Sequence, residues 1–330
     1  MNRLSEERVE ALLDGAARVR CLVVGDLMLD RYVTGTVDRI SPEAPVPVVR
    51  VESESSAVGG AANVAHNAVA LGARCALVGV TGADDGGGLL RRELEALGIE
   101  TSGVLVAADR PTTVKTRVMA RRHQVVRFDH EVDADVPPAL ADGLAARVRD
   151  LAAGADVLVV EDYNKGVLVP AVVAAVLEAG RERGIPVVVD PKRLRFFGFA
   201  GATVFKPNAK ELADALGEPI RPDDGAWMEE VRARVGCATL LLTLGEHGMA
   251  LTSADGASAR IPAVARSVYD VSGAGDTVTA VLALALGAGA DPVEAAILAN
   301  HAAALEVAKA GVATVTRAEI LEHYRTFQAR

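Results

Sequence analysis

The amino-acid sequence predicts an α/β fold in which a mostly parallel central sheet is covered by helices on both faces. Strand-like runs of consecutive Val and Leu, such as RCLVVGD at 20–26 and ADVLVVED at 155–162, lack polar alternation. That pattern suits strands buried on both faces. Helical stretches such as PAVVAAVLEAGRERG at 170–184 lie between them, so the strands connect through crossovers. The 330 residues are 50% apolar and 24% charged, enough for one large core and contrary to global disorder. No internal repeat, low-complexity tract or linker divides the chain, so residues 1–330 read as a single domain.

Taken in order, MNRLSEERVEALLDGAARVR is charged and helical in pattern, with no apolar centre of the kind a signal peptide needs. A strand at 20–26 follows, then a helix in ANVAHNAVALGA, a strand at 74–82 and a helix in GGLLRRELEALG closed by Gly98. Later come a strand in IPVVVDPK at 185–192 and a strand–turn–strand in LTLGEHGMAL at 242–251. Ligands in such sheets sit beyond the carboxyl ends of strands, so Asp26, Asp162, Asp190 and Gly245 should share one edge. Two segments break the alternation, PVPVVRVES at 45–53 and TTVKTRVMARRHQVVRFDHE at 112–131. They read as antiparallel ribbons forming a small β-lid, over about residues 32–52 and 112–130.

Composition narrows the function. Aromatic residues are 3% of the chain and the net charge is −9, which argues against a nucleic-acid partner. The most apolar stretch, 278–286, is too short to span a membrane. Cys21, Cys75 and Cys237 are far apart and lie in apolar, strand-like runs; they read as buried free thiols of a cytoplasmic protein.

The sharpest motif is DVSGAGD at 270–276, which runs directly into the apolar stretch TVTAVLALALG. Ser272 or Asp270 could simply cap a helix. Two glycines around Ala274, however, suggest a backbone that must approach something closely, and unpaired amides at a helix start attract anions. Asp276 beside such an anion hole has the character of a phosphoryl-transfer base, with Gly273, Ala274 and Gly275 supplying the hole. In KPNAKEL, Asn208 and Glu211 have capping-box spacing; the alternative is a carboxylate that holds the water shell of Mg²⁺ near nucleotide phosphates. Gly245 and Gly248 sit where backbone could approach a nucleotide. Asp26 and Asp30 in GDLMLD could accept hydrogen bonds from sugar hydroxyls or serve as turn residues, and Gly59–Gly60 before Asn63 could be close packing. Lys115 and Arg117 share one strand face within a basic group that includes Arg121, Arg122, His123 and Arg127; it reads either as a solvated face or as a phosphate clamp. The six histidines show no metal-ligand spacing.

GGAAN, NAKE and DVSGAGD, in this order over nearly the full length, resemble the ribokinase-like (PfkB) family of carbohydrate kinases. GDLMLDRYVTGTVDRISPEAPVPVVRV, GGAANVAHNAVALGA, VGVTGADD, EDYNKG and VVDPK are similar, more narrowly, to its bacterial D-glycero-D-manno-heptose 7-phosphate kinases. The resemblance implies a ribokinase-like three-layer sandwich whose β-lid serves as a homodimer interface. It implies transfer of the ATP γ-phosphate to the anomeric hydroxyl of heptose 7-phosphate, giving the 1,7-bisphosphate used in ADP-heptose and lipopolysaccharide core synthesis. Asp276 becomes the base. Asn208, Glu211, Thr243, Gly245, Gly248 and Asn300 fall to ATP, with Glu211 also toward Mg²⁺. Asp30, Gly59, Gly60, Asn63, Lys115, Arg117, Asp190 and Lys192 fall to the phosphosugar. Ser272 stands where many members have Thr, which keeps the hydroxyl. The sequence holds no H-x-G-H nucleotidyltransferase motif, so the expectation is a stand-alone kinase, with adenylyl transfer left to another protein. The rivals are a kinase for another phosphosugar and a non-catalytic sugar-phosphate sensor on the same fold.

Overall fold

The computed structural model describes residues 4–121, 123–265 and 267–328; Arg122, placed above in the basic group, lies outside them. The chain opens with helix α1 (Glu6–Ala16), strand β1 (Arg20–Gly25) and two long strands, β2 (Leu27–Ile40) and β3 (Pro47–Gly60). Helix α2 (Ala61–Ala70), β4 (Arg74–Gly82), α3 (Asp85–Ala96) and β5 (Glu100–Ala107) follow, then β6 (Thr113–Ala120) and β7 (His123–His130). Next come α4 (Pro138–Ala152), β8 (Val157–Glu161), α5 (Pro170–Arg183), β9 (Val187–Asp190) and the two-residue β10 (Val204–Phe205). The remainder comprises α6 (Ala209–Leu216), α7 (Gly225–Val235), β11 (Thr239–Thr243), β12 (Met249–Ser253), β13 (Ser258–Ile261), α8 (Ala274–Gly287), α9 (Pro292–Glu306) and α10 (Arg317–Gln328).

Nine strands form one sheet in the order β13-β12-β11-β10-β9-β8-β1-β4-β5. From β11 to β5 all neighbours pair in parallel, and only the β11–β12–β13 end is antiparallel. Alternate residues of each strand feed two cores, which is why the strands read as unbroken apolar runs. In β1, Cys21 and Val23 point to the core made with α1, α2, α8, α9 and α10. Leu22 and Val24 point to the core made with α4, α5 and α7. The result is the three-layer ribokinase-like sandwich. Local signals set the ends as expected: α5 stops at Gly184 in the left-handed region, and α3 is followed by Gly98 at φ 73°. Cys21, Cys75 and Cys237 are free and buried, although Cys237 precedes β11 rather than lying in it.

A second sheet of four strands, β3-β2-β6-β7, makes the lid. Its strands reach beyond the expected limits, back to Leu27 and on to Gly60. The expectation of two antiparallel ribbons is correct within each ribbon, but the ribbons join through a parallel β2–β6 pairing, Met28 against Thr113 through Gly35 against Ala120. Because β3 runs straight into α2 and β2 follows β1 across one residue, the lid is anchored at the sheet's carboxyl edge.

Candidate active site

That edge is where the site is built. Gly25, Glu161 and Asp190, at the ends of β1, β8 and β9, lie side by side in register. The N-terminus of α8 meets them: Thr279, one turn in, donates to Asp190 Oδ2 at 3.2 Å. Gly273 caps this helix at φ 93°, and a Cβ there would sit 3.2 Å from Asn63 Nδ2 and 3.4 Å from Glu306 Oε1. Both the conformation and the tight surroundings call for glycine. Among the described residues, the amides of Gly273, Gly275 and Asp276 donate to no protein acceptor. They form an open set of donors at the positive end of a 14-residue helix.

Asp276 stands within this opening, 5% exposed. Asn63 Nδ2 donates to its Oδ2 at 2.6 Å, and the Tyr163 hydroxyl donates to its Oδ1 at 2.8 Å. Burial pushes its carboxyl up to about 6, against the lowering effect of the Asn63 and Tyr163 bonds; Asp190 raises it and Lys206 lowers it. The group is therefore ionised at neutral pH yet close enough to neutrality to accept a proton.

Charge around it is dense. Lys206 Nζ pairs with Asp190 Oδ2 at 2.8 Å, both buried. Burial opposes the Lys206 charge, but Asp190 and Glu161 more than offset it and hold the ammonium above its ordinary range. Lys192 pairs with Glu211. Glu161 is wholly buried with neither carboxylate oxygen bonded among the described residues, and burial, then Asp190 and Asp276, push its carboxyl far up. Glu306 is likewise buried without a partner for either oxygen, and burial pushes it up to about 8.

Asn208 and Glu211 form a complete capping box on α6: Asn208 Oδ1 accepts the Glu211 amide at 2.8 Å, and Glu211 Oε2 accepts the Asn208 amide at 2.9 Å. A parallel bridge sets Thr243 beside Asn208. After it, Gly245–His247 form one turn of 3-10 helix; Gly245, at φ 57°, faces open space. A Cβ on Gly248 would fall 2.0 Å from the Ile261 carbonyl oxygen, so packing against the end of β13 alone demands that glycine. Asn300 donates to the Pro262 carbonyl at 2.8 Å on the wall of a cavity of about 250 Å³ between β13, α9 and α10. Among the described residues, no bond links it to the Asp276 cluster.

On the lid side, Asp30 is buried and ion-paired with Arg117, which also lies 5.5 Å over the Tyr32 ring. A Cβ on Gly59 would fall 2.6 Å from Asp30 Oδ2, and one on Gly60 2.5 Å from the Asp26 carbonyl oxygen. The paired glycines thus seat the lid hinge closely. Lys115 makes no ion pair among the described residues and lies 5.9 Å from the Tyr163 ring. Arg127 is turned to Asp129 at 3.0 Å, and Arg121 and His123 are exposed, so the basic group divides: among its described members, Lys115 and Arg117 approach the site. Asp26 accepts the amides of Tyr163, Lys165 and Val167 at 2.8, 2.9 and 3.2 Å. Its carboxylate pins the loop after β8, which selects the structural reading over sugar binding.

Four residues of the cluster escaped the reading by residue type: Tyr163, Glu161, Lys206 and Glu306. A lone acid in ANHAAALEVA and a lysine abutting the VF strand were the available signals, since an ionisable group in a buried element calls for a reason.

The family model for pfkB family carbohydrate kinases matches residues 19–319. The chain belongs to that family. This pfkB-family kinase is 45% identical over 325 residues to the "Bifunctional protein HldE" of Citrifermentans bemidjiense, covering 96% of this chain and 66% of the relative. It is 47% identical over 311 residues to the protein of the same name from Rhodospirillum rubrum, covering 92% and 62%. It thus spans just under two thirds of the length of these relatives. Among solved structures, phosphofructokinase-2 from Escherichia coli in complex with potassium superposes with a TM-score of 0.78 at 20% identity, covering 95% of this chain and 99% of that one. Arabidopsis thaliana ribokinase complexed with ribose and ATP gives 0.72 at 21%, covering 93% and 99%. These likenesses confirm the ribokinase-like fold. The pfkB kinase is a carbohydrate phosphotransferase.

Proposed function

We propose that this kinase transfers the γ-phosphoryl of ATP to the anomeric hydroxyl of D-glycero-D-manno-heptose 7-phosphate, forming the 1,7-bisphosphate and ADP. One observation carries the reading: a buried carboxylate, Asp276, held by two donors at a helix N-terminus whose amides are open. Asp276 takes the hydroxyl proton as the sugar oxygen attacks the γ-phosphorus. The bond to the β–γ bridging oxygen breaks, and the open amides of Gly273, Gly275 and Asp276 stabilise the charge that develops; the Ala274 amide, expected to join them, is instead turned to the Val271 carbonyl at 3.4 Å. Thr243, Gly245 and Asn208 line the nucleotide side, with Gly248 and Asn300 supporting it. Asp30, Gly59, Gly60, Asn63, Lys115, Arg117, Asp190 and Lys192 face the phosphosugar in this reading.

Mg²⁺ fits as an ion brought by the nucleotide. No group of three or more His, Cys, Asp or Glu among the described residues could hold it, and magnesium commonly binds through phosphates and water plus one or two carboxylates. Glu211 is the carboxylate that would face its water shell, and the ion would offset phosphate charge. Lys115 on the lid, which makes no ion pair among the described residues and lies 5.9 Å from the Tyr163 ring, favours a phosphorylated sugar. The exposed apolar side chains of β7, Val126 and Phe128 among them, support a homodimer through the lid. Buried free thiols support a cytoplasmic setting, and no helix among the described residues is long and apolar enough to cross a membrane.

The test is ADP release from ATP and Mg²⁺ across phosphorylated heptoses and hexoses. Fastest turnover with heptose 7-phosphate is expected. A preference for a hexose phosphate moves the assignment to another phosphosugar kinase, and no turnover with any of them leaves a sensor.

A further inference from the structure

Tyr163 joins three parts of the site. It lies one residue beyond β8, after Asp162, and its backbone amide is fixed by Asp26 Oδ2 at 2.8 Å. Asn164 beside it takes φ 54°, so the loop is wound tightly enough to turn the ring inward. The hydroxyl ends on Asp276 Oδ1, while the ring lies 5.1 Å from Lys192 Nζ and 5.9 Å from Lys115 Nζ. One ammonium comes from the segment after β9 and the other from lid strand β6. A single side chain therefore touches the acceptor carboxylate, the lid and the ion pair at Glu211.

We propose that Tyr163 is a positioning residue: its O–H orients Asp276 and favours the ionised carboxylate, and its ring ties lid seating to that orientation. The inference rests on Asp276 being the base. A donor to the charged form of an acid lowers its pKa, and the bond also fixes which lone pairs remain free for the incoming proton. The phenol itself stays protonated, because burial and then Asp276 push it far above its ordinary value. The other groups facing Asp276 are Asn63 from α2, Glu161 from β8, Asp190 from β9, Lys206 after β10 and Glu306 from α9. Tyr163→Phe leaves the identity of each of them unchanged.

Tyr163→Phe keeps the ring and both lysine contacts. It should lower kcat roughly tenfold, leave both KM values near wild type, and move the acid limb of the pH–rate curve upward. The comparison is between two proteins on one substrate, so titration of the sugar phosphate cancels. Incorporation of 3-fluorotyrosine makes the phenol a stronger donor without altering packing, and should move the same limb downward. Opposite shifts support the proposal even where the Phe variant melts early. Superimposable profiles for all three proteins, with Asp276→Asn inactive, overturn it and leave Asp276 as base. An Asp276→Asn enzyme within threefold of wild type overturns the underlying reading instead.

Discussion

The lid and the carboxyl edge of the main sheet meet at Tyr163, yet they hold charge in opposite ways. Every residue of β7 is exposed, Phe128 by 57%, and several lid charges sit in hydrated pairs such as Arg50–Asp38 and Arg31–Glu54. Such pairs contribute about 0–1 kcal/mol and rearrange easily. At the edge, Glu161, Asp190, Lys206 and Asp276 are all buried, and only Asp190 and Lys206 form an ion pair with each other. Buried carboxylates without partners cost stability unless they take a proton. The fold tolerates them because the two cores of the sandwich supply the stability. Under the proposed function, the difference would give turnover to the edge and sugar affinity to the lid.

The largest effect that would break this division lies at the edge. Asp276→Asn preserves shape and removes the proton acceptor, so kcat should fall about 10²–10⁴-fold while ATP binding, measured by calorimetry, persists. Turnover within threefold of wild type would reduce Asp276 to a helix-start residue. On the lid, Lys115→Ala should raise KM for the phosphosugar some tens-fold with little change in KM for ATP, because a charge-assisted bond is worth roughly 1.5–3 kcal/mol. Arg117→Ala should do more harm, since it also strands Asp30, buried and ion-paired with it.

A smaller effect sharpens the boundary between structure and chemistry. Glu211→Gln can keep the capping box, so the melting temperature should barely change. Loss of its charge should raise the Mg²⁺ concentration for half-maximal rate several-fold. Superimposable Mg²⁺ curves would leave Glu211 as a cap. The smallest effect concerns Glu306, whose carboxyl is held at about 8, above its ordinary 4.5. The folded state keeps a proton that the unfolded chain gives up, so the stabilisation is complete below about pH 4.5 and is lost as pH rises through about 8. Glutamine mimics the protonated form. Glu306→Gln should melt with wild type near pH 4 and roughly 5 °C above it at pH 9. Equal melting temperatures at pH 9 would show that Glu306 ionises freely.

How far the sequence discloses these regions depends on what each residue answers to. β1, β8 and β9 were legible because both faces are buried, which leaves an unbroken apolar signature. The turn at Gly273 was legible because a glycine pair entering an apolar helix has few other causes. The parallel β2–β6 join was not, since strand pairing depends on contacts between segments far apart in sequence. Tyr163 was hidden for the same reason: 113 residues separate it from Asp276, and a lone tyrosine in a loop has no pattern. Asp26 stayed open between two readings, because a carboxylate after a strand looks the same whether it binds a sugar or three backbone amides.

The division between edge and lid is tested most directly by saturating two variants with the phosphosugar at fixed ATP and Mg²⁺. Lys115→Ala should reach the wild-type plateau at higher sugar concentration. Asp276→Asn should plateau at least 10²-fold lower, however much sugar is added. Plateaus that fall together, or an Asp276→Asn enzyme that recovers with substrate, would contradict the account.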